Sequence, residues 1–436
     1  MLCLSLGAFA MLTRRNLLSA ALAAPTIWRA RAAFAAPADA TALLQRAIDE
    51  AQRGGRVVTI PAGVNRVSQL KISGDVRLIG GSASRLVASG PSPLLTIERA
   101  QSVTIENVIF DGGDAPPSQS GLIEVRDVAD LQFVDCAIAR APGYGLRLER
   151  CGGRIERSSF QNLSQSAVHS LDATGLTIAD NRVANCGANG LQVWRSAAGY
   201  DGSIIRGNRV ERIRTDPGGD GPYGNAISIF RAGNVVCTDN VAREAAFSAI
   251  RCNSGADVLI ANNNCFDIGE TAIYVEFAFQ GAVVSSNLVD GASTGLSVTN
   301  FDQGGRLASV SGNVLRNLVK PLPQGGEIFG VGIHAEADTA VTGNTVDNAR
   351  FAGLSLGYGV GLRDVVATGN ALSDCGYGIV ASVAPGAGAA SIRDNRIVRA
   401  RRGAIVGAAW ENIVSADLLA EAEKYPLITM AGNDIR

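Results

Sequence analysis

The chain has 436 residues, of which 47% are hydrophobic and 5% aromatic, and its formal net charge is −1. This near-neutral balance lacks the basic field that nucleic-acid binding requires, so we expect no nucleic-acid partner. The 51 glycines and the low aromatic content favour a narrow interior filled by small apolar side chains, with little room for large rings.

A pair of arginines, Arg14 and Arg15, precedes a short apolar run at residues 18–24. A twin arginine before a modest apolar segment is typical of a Tat export signal, and Ala33-Phe34-Ala35 fits the small-residue cleavage motif. We therefore predict that residues 1–35 form a signal peptide recognised by the Tat translocase, and that the protein is periplasmic or secreted. The apolar run is too short to cross a bilayer, so we predict no membrane span in the mature chain.

Residues 39–53 carry apolar side chains at helical spacing and predict an amphipathic helix. Asp39 is the expected N-cap, and Gly54-Gly55 is expected to end the helix. The mature chain, residues 36–436, is predicted to be one domain that includes this helix. Near its end, residues 415–424 predict a second short helix, and residues 427–435 predict one last coil with Asn433 in the position of the recurring asparagine described below.

One phrase recurs nine times: an apolar residue, two residues, asparagine, one residue, an apolar residue. Its asparagines are Asn181, Asn208, Asn240, Asn263, Asn287, Asn313, Asn344, Asn370 and Asn395, spaced 23 to 32 residues apart. Near-constant spacing that tolerates insertions is typical of a solenoid. Asparagine tolerates the left-handed backbone region, and its amide can bond to the coils above and below, so we expect a structural ladder.

A second phrase, small-apolar-any-apolar, occurs between the asparagines, as in residues 190–193 and 272–275. Its two-residue alternation predicts strands, which stack into parallel sheets with a rise of about 4.8 Å per coil. The sequence thus predicts an all-β fold, a right-handed parallel β-helix of about 12 coils whose open end is covered by the N-terminal helix.

Cysteines occupy inward positions of these phrases. Cys237, Cys252 and Cys265 stand where Val or Ile occur in other coils, and Cys136 takes an asparagine position. We expect them to be small buried hydrophobes, without a role in metal binding or redox chemistry.

The opening of the repeats, Val57-Val58-Thr59-Ile60-Pro61-Ala62-Gly63 followed by Val76-Arg77-Leu78-Ile79-Gly80-Gly81, resembles that of pectate-lyase-like β-helix proteins. This superfamily includes polysaccharide lyases, polygalacturonases, uronate epimerases and tailspike hydrolases. With its twin arginine and asparagine-rich coils, the whole chain also resembles a family of Tat-translocated repetitive proteins. The Gly-His-Gly motif of polygalacturonases and the Asp-Pro-His-Glu motif of alginate epimerases are absent, so the resemblance implies fold and export and assigns no catalytic residue.

In the second phrase, the variable residue and the residue two positions later point outward, so stacked coils display two rows. The first row is Arg147, His169, Gln192, Ser228, Arg251, Tyr274, Ser297, His334 and Ser355. The second row is Glu149, Leu171, Trp194, Phe230, Asn253, Glu276, Thr299, Glu336 and Gly357. Aromatic rings stack on sugar faces, and Arg, Asn and Glu bond sugar hydroxyls or carboxylates, so these rows predict binding of a polysaccharide or oligosaccharide.

Two insertions, residues 215–223 and 320–327, come just before this strand in their coils. They are expected to form walls four coils apart, about 19 Å, around a trough that takes several sugar units. The predicted substrate-binding residues are Trp194, Phe230 and Asn253, and the candidate catalytic residues are Arg251, Tyr274, Glu276, His334 and Glu336.

The residue types suggest specific roles. His334 beside Glu336 is the best candidate for a general base. Glu276 and Glu336, about 10 Å apart at the backbone, approach the separation of the acid and base of an inverting glycosidase, and we expect Glu276 and His334 to point to solvent.

Each assignment has an alternative. Arg251 and Glu276 could be an ordinary surface ion pair, and Tyr274 could simply cover its strand. Asp216 and Asp220 could bind calcium, although a Gly/Pro turn with solvated acids explains them too; no other cofactor is predicted.

Three functions therefore compete: an exported polysaccharide lyase, epimerase or glycoside hydrolase; a non-catalytic carbohydrate-binding protein; and a structural or assembly repeat protein of the cell envelope.

Overall fold

The computed structural model describes residues 39–55, 57–81, 83–219, 221–325 and 329–436. These residues belong to a single unit, Pro37–Arg436. The predicted signal peptide, residues 1–35, lies outside the described residues.

The N-terminal helix spans Thr41–Gly54 and buries Leu44, Ile48 and Ala51. Ala40 occupies the N-cap position, which corrects the prediction for Asp39; the Asp39 carboxylate instead accepts a hydrogen bond from the backbone N–H of Thr41, at 2.8 Å. Gly55 ends the helix in the left-handed conformation. Within the described ranges, no helix has both the length and the apolarity that a membrane crossing needs.

Three strands per coil follow the helix, and equivalent strands of successive coils pair in parallel. The front row, which carries the small-apolar-any-apolar phrase, consists of Leu70–Ile72, Tyr144–Glu149, Val168–Leu171, Leu191–Tyr200, Ile227–Gly233, Ile250–Asn253, Thr271–Glu276, Thr294–Val298, Val331–Ala335, Ala352–Leu356, Tyr377–Ser382 and Gly403–Ala409. Two long strands, Leu95–Glu106 and Gly121–Val134, run from the front row into the second row.

The second row consists of Val57–Ile60, Val76–Gly80, Gly153–Glu156, Thr177–Ala179, Ile204–Arg206, Val236–Thr238, Ala256–Ala261, Gln280–Ser285, Arg306–Ser311, Thr339–Thr342, Val365–Thr368, Ala390–Arg393 and Ile428–Ala431. The third row consists of Gly63–Val67, Ser84–Ala88, Ile109–Asp111, Ala137–Ala139, Ser159–Leu163, Arg182–Cys186, Arg209–Ile213, Val241–Ala245, Asn264–Phe266, Leu288–Asp290, Val314–Leu318, Thr345–Ala349, Ala371–Ser373, Arg396–Val398 and Asp434–Ile435. One further strand, Asn412–Ser415, pairs antiparallel with the end of the front row.

The predicted parallel β-helix is therefore confirmed, with about 14 turns instead of about 12. The first coils escaped the count because they lack the recurring asparagine. At that place in the turn, Cys136 and Ser158 precede Asn181, and the Ser158 hydroxyl accepts a hydrogen bond from the backbone N–H of Cys136.

The asparagine ladder is confirmed over its whole length. From Asn208 onward, each side-chain oxygen accepts hydrogen bonds from the asparagine of the preceding coil, whereas that of Asn181 accepts from the backbone N–H of Ser158. Each amide nitrogen donates to a backbone carbonyl, with distances of 2.9–3.1 Å around Asn287. The expected left-handed backbone is one residue earlier: Asp180, Gly207 and Ser286 have positive φ, and the asparagines that follow them do not. The residue before the asparagine thus makes the turn, and the asparagine amide holds it.

The interior is apolar and includes all seven cysteines outside the predicted signal, which are buried and free. Aromatic side chains do pack in the interior, although the composition predicted little room for large rings. Phe110, Phe133 and Phe160 are fully buried in consecutive coils, with ring centroids 6.0 and 6.2 Å apart. The in-register repeat allows this stack because each ring packs on the one below it.

The predicted helix over residues 415–424 is wrong. The segment contains turns and one 3-10 helix, Ala422–Lys424. The carboxylate of Asp417 accepts hydrogen bonds from the backbone N–H groups of Leu419 and Ala420, which stabilises a turn in place of a continuous helix. The final coil is confirmed, since Asn433 accepts the last ladder bond, from Asn395.

Candidate functional site

The two predicted outward rows lie on the front face of the solenoid in exact register. In the first row, each residue from Arg147 to Ser355 is paired with its counterpart on the next coil. In the second row, the pairing runs from Glu149 to Glu276. Parallel in-register stacking therefore converts a scattered sequence pattern into a continuous surface.

Aromatic rings form a ladder along this face. The ring centroids are 5.3 Å apart for Tyr144 and His169, 5.4 Å for His169 and Trp194, and 5.7 Å for Trp194 and Phe230. The indole N–H of Trp194 donates to the hydroxyl of Ser228 at 3.0 Å, which fixes the ring. Burial lowers the pKa of His169, so this imidazole is an uncharged member of the ladder.

The ladder leads into a cavity of about 800 Å³, here called the large cavity. Six of the eight predicted site residues line it: Trp194, Phe230, Arg251, Asn253, Tyr274 and Glu276. The predicted substrate-binding residues and most of the candidate catalytic residues are thus brought together.

Both insertions contribute to the large cavity. Gly221, Pro222 and Tyr223 line it from the first loop, and Gln324 lines it from the second. The backbone of Gly221 lies so close to Arg251 that a β-carbon there would stand 2.6 Å from the guanidinium. The two loops, expected as walls about 19 Å apart, thus line one cavity together.

Arg251 is the centre of a charged network in this cavity. Its Nε and Nη2 atoms donate to the two carboxylate oxygens of Glu276, at 2.7 and 2.9 Å, and its Nη1 atom donates to Glu270 at 3.4 Å. Asn253 donates to Glu276 at 3.0 Å, and Gln324 donates to Glu270 at 3.3 Å. Burial alone would lower the pKa of Arg251, but its bonds to Glu276 raise it, so the guanidinium stays charged.

Two sequence-based interpretations of this network are wrong. The Arg251 and Glu276 side chains are only 12% and 2% exposed, so they are not an ordinary surface ion pair, and Glu276 does not point to solvent. The Arg251 guanidinium lies between the backbone of Gly221 and the ring of Tyr274, which remove it from water. A buried bidentate pair of this kind holds the guanidinium in one orientation.

Tyr274 lies under this network. The Arg251 guanidinium is 4.8 Å from the centroid of its ring. Burial, followed by the negative charge of Glu276, raises the pKa of Tyr274, so its hydroxyl stays protonated. The alternative that Tyr274 merely covers its strand is too limited, because its ring supports Arg251 and lines two cavities.

His334 and Glu336 line a second cavity of about 290 Å³, the small cavity, which shares Tyr274 with the large one. The Nε2 atom of His334 is 3.4 Å from Oε1 of Glu336. Glu336 also accepts a hydrogen bond from the hydroxyl of Thr299, at 2.5 Å, and one from the backbone N–H of Asn300, at 2.6 Å. Glu276 and Glu336 thus belong to different cavities, which argues against their acting as one acid–base pair.

Sequence reasoning missed Glu270, which lies before the front-row phrase and so is selected by neither row. In the first insertion, Asp216 pairs with Arg214 at 2.8 Å, and Asp220 lies outside the described residues. The calcium alternative for this loop stays a prediction. Over the part of the chain that the structure describes, no group of three or more His, Cys, Asp or Glu side chains could hold a metal ion.

The fold and the face defined above are those of a right-handed parallel β-helix with a loop-enclosed cavity on one sheet. A sequence profile of the right-handed β-helix region matches residues 88–210 and 144–315, which together span just over half of the chain. The chain therefore belongs to this right-handed β-helix family. No curated protein sequence matches it.

Solved structures agree on the fold. The bacteriophage Phi29 gene product 12 N-terminal fragment is similar with a TM-score of 0.53 at 13% identity, covering 84% of this chain and 68% of that chain. The pre-mature Phi29 gene product 12 gives 0.51 at 14% identity, covering 90% of this chain and 54% of that chain. A PL6 alginate lyase complex with trisaccharide gives 0.47 at 13% identity, covering 92% and 83%. The likeness to the two Phi29 structures, at 13% and 14% identity, shows the fold alone.

Proposed function

We propose that the protein binds a glycan along its front face, with the large cavity as the principal subsite. The observation that carries this proposal is the aromatic ladder that ends at Trp194 and Phe230, directly beside an enclosed, hydrogen-bonding site. Stacked rings contact the apolar faces of sugars, and fixed polar groups beside them bind hydroxyls.

Arg251 supplies the polar half of this recognition. A guanidinium has five N–H groups, and the described contacts with Glu276 and Glu270 use three of them. Two N–H groups are left to donate to sugar hydroxyls, and their direction is set by Glu276. Because the site is already ordered, little conformational entropy is lost when a ligand binds.

Charge narrows the class of glycan. Among the described residues, the large cavity is lined by one cationic side chain, Arg251, and two anionic ones, Glu270 and Glu276. An additional carboxylate from the ligand would be repelled in this partly enclosed site. We therefore propose a neutral or amino-sugar glycan, which disfavours the lyase and epimerase alternatives because those reactions act on uronates.

A glycan array probed with the full-length protein tests the proposal, followed by affinities of variants for the best ligand. We expect Trp194→Ala and Phe230→Ala each to weaken binding by at least about tenfold, the equivalent of about 1.4 kcal/mol. Phe266→Ala is the matched control, since Arg243 lies 4.7 Å from the Phe266 ring centroid just as Arg231 lies 4.7 Å from that of Phe230, but on the third row. Equal losses in Phe230→Ala and Phe266→Ala, or no bound glycan, would favour a structural or assembly role.

Export remains part of the proposal and is supported by Arg14 and Arg15 before their short apolar run. A protein of this kind would meet its glycan outside the cytoplasm. Replacing both arginines by lysine should leave the precursor in the cytoplasm, as cell fractionation would show. Normal export of that variant through an intact Tat pathway would contradict the assignment.

A further inference from the structure

The small cavity contains a hydroxyl, an imidazole and a carboxylate in one line. The Oγ atom of Ser355 is 3.1 Å from Nδ1 of His334, and Nε2 of His334 is 3.4 Å from Oε1 of Glu336. All three side chains line the small cavity, and His334 and Glu336 are 19% and 13% exposed, so a small group can reach them. The first contact lies within the distance over which a base can take a proton from a hydroxyl.

Glu336 determines which nitrogen of His334 carries the proton. Its carboxylate accepts from the Thr299 hydroxyl and the Asn300 backbone N–H, which hold it in place as an acceptor. The Nε2 atom facing it is therefore the protonated one, and Nδ1 presents a lone pair to the hydroxyl of Ser355. In the familiar serine-hydrolase triad, Nε2 faces the serine and Nδ1 the carboxylate; here the two nitrogens have the opposite partners, but the path of the proton is the same.

Neighbouring coils show that this alignment is not a general property of the front row. Ser297 also neighbours His334 in register, on the opposite side, and lines the same cavity, but its hydroxyl makes no hydrogen bond to the imidazole. The other histidine, His169, is stacked between Tyr144 and Trp194 and bonds to the amide of Gln192. Only one histidine thus faces both a hydroxyl and a carboxylate among the described residues.

We propose that Ser355, His334 and Glu336 form an acyl-transfer site that removes O-acyl groups, such as acetyl esters, from sugars held on the front face. The location on a sugar ester rests on the proposed glycan binding; the reactive serine itself does not. A cavity of about 290 Å³ accommodates a short acyl chain.

The chemistry balances with water as the only co-reactant. The Ser355 oxygen attacks the ester carbonyl while its proton moves to Nδ1 of His334, and Glu336 stabilises the imidazolium. The bond between the acyl carbon and the sugar oxygen breaks, and His334 returns the proton to that oxygen. Water then attacks the acyl-serine with His334 as base, which releases the carboxylic acid and regenerates the serine.

Diisopropyl fluorophosphate tests the reactive serine on the full-length protein without any glycan. We expect the intact mass to increase by one adduct, mapped by peptide mass spectrometry to Ser355 and absent in Ser355→Ala. The Ser297→Ala control, in the same cavity, should label like wild type. Absence of the adduct in wild type, or its location elsewhere, would overturn the proposal.

Hydrolysis of 4-nitrophenyl acetate provides the second readout. Ser355→Ala and His334→Gln should lower kcat/KM at least about 100-fold, and Ser297→Ala less than about threefold. Glycan binding by the wild-type protein is measured separately, because its principal subsite, the large cavity, is not lined by Ser355. If binding fails but labelling succeeds, only the proposed glycan function is wrong; if labelling fails while binding persists, only the acyl-transfer site is wrong.

Discussion

Replacing Asn287 by alanine tests whether the asparagine ladder holds the coils together. The side-chain amide nitrogen of Asn287 donates to the carbonyl of Ile260 at 3.1 Å and to Oδ1 of Asn313 at 3.0 Å. Its oxygen accepts from the backbone N–H of Asn263 at 2.9 Å and from the amide of Asn263 at 3.0 Å. Alanine removes all four hydrogen bonds at a position that is 1% exposed.

The groups that lose a hydrogen bond to Asn287 differ in the partners they keep, and this determines how much stability is lost. The amide of Asn263 keeps two carbonyl partners, and Oδ1 of Asn313 keeps the backbone N–H of Asn287. The backbone N–H of Asn263, however, loses its acceptor, which costs about 1–3 kcal/mol in a buried site. With a net loss of about 0.5–1.5 kcal/mol for each of the other three bonds, the free energy of unfolding should fall by about 2.5–7.5 kcal/mol.

Equilibrium denaturation, followed by far-UV circular dichroism, measures this difference. Asn264→Ala is the matched control: it is the same chemical change one residue after a ladder position, and the Asn264 side chain makes no hydrogen bond within the described chain. The control should lose less than about 0.5 kcal/mol. If the two variants lose equal stability, or if Asn287→Ala loses less than about 1 kcal/mol, the ladder does not stabilise the solenoid as argued.

Three further predictions concern the site and the core. Gly221→Ala should weaken glycan binding by about tenfold with little change in Tm, because its β-carbon would press on Arg251. The control is Gly81→Ala, whose β-carbon would meet nothing closer than 4.0 Å. Equal glycan affinities of the two variants would contradict the described cavity. Glu276→Gln should lower the free energy of unfolding by about 2–4 kcal/mol and also weaken glycan binding, because it leaves the buried guanidinium of Arg251 without its charged partner. The control Glu423→Gln, at an exposed position, should change neither denaturation nor binding. Burial raises the pKa of the Cys136 and Cys186 thiols from 9.0 to about 12, so the stability they contribute is complete below pH 9 and is lost as the pH rises towards 12; a Tm that stays constant from pH 8 to 11 would contradict this.

The repeat made the fold and the rows predictable, because in a parallel β-helix the phase of the sequence fixes the register. Arg251, Tyr274 and His334 could therefore be placed on one face from their position in a four-residue phrase. The repeat also located the asparagine ladder. It did not locate the residue with positive φ, because different residue types, such as Asp180 and Gly207, occupy that position in successive coils. The position of the left-handed residue therefore came only from the backbone of the structure.

The enclosed parts of the site were not predictable in this way. Loop paths have no period, so the sequences 215–223 and 320–327 did not indicate that Gly221 would lie against Arg251 or that Gln324 would donate to Glu270. Glu270 lies before the phrase that selected the other residues. The pairing of Ser355 with His334 depends on side-chain rotamers, because Ser297 is equally close in register and makes no such bond.

A crystal structure of the protein with the glycan that binds it best in solution tests the central claim most directly. We expect a sugar ring stacked on Trp194 or Phe230, with hydroxyls bonded to Arg251 and the glycan chain continuing along the front row. A glycan bound on the second or third row, with the large cavity empty, would contradict the assignment of this face.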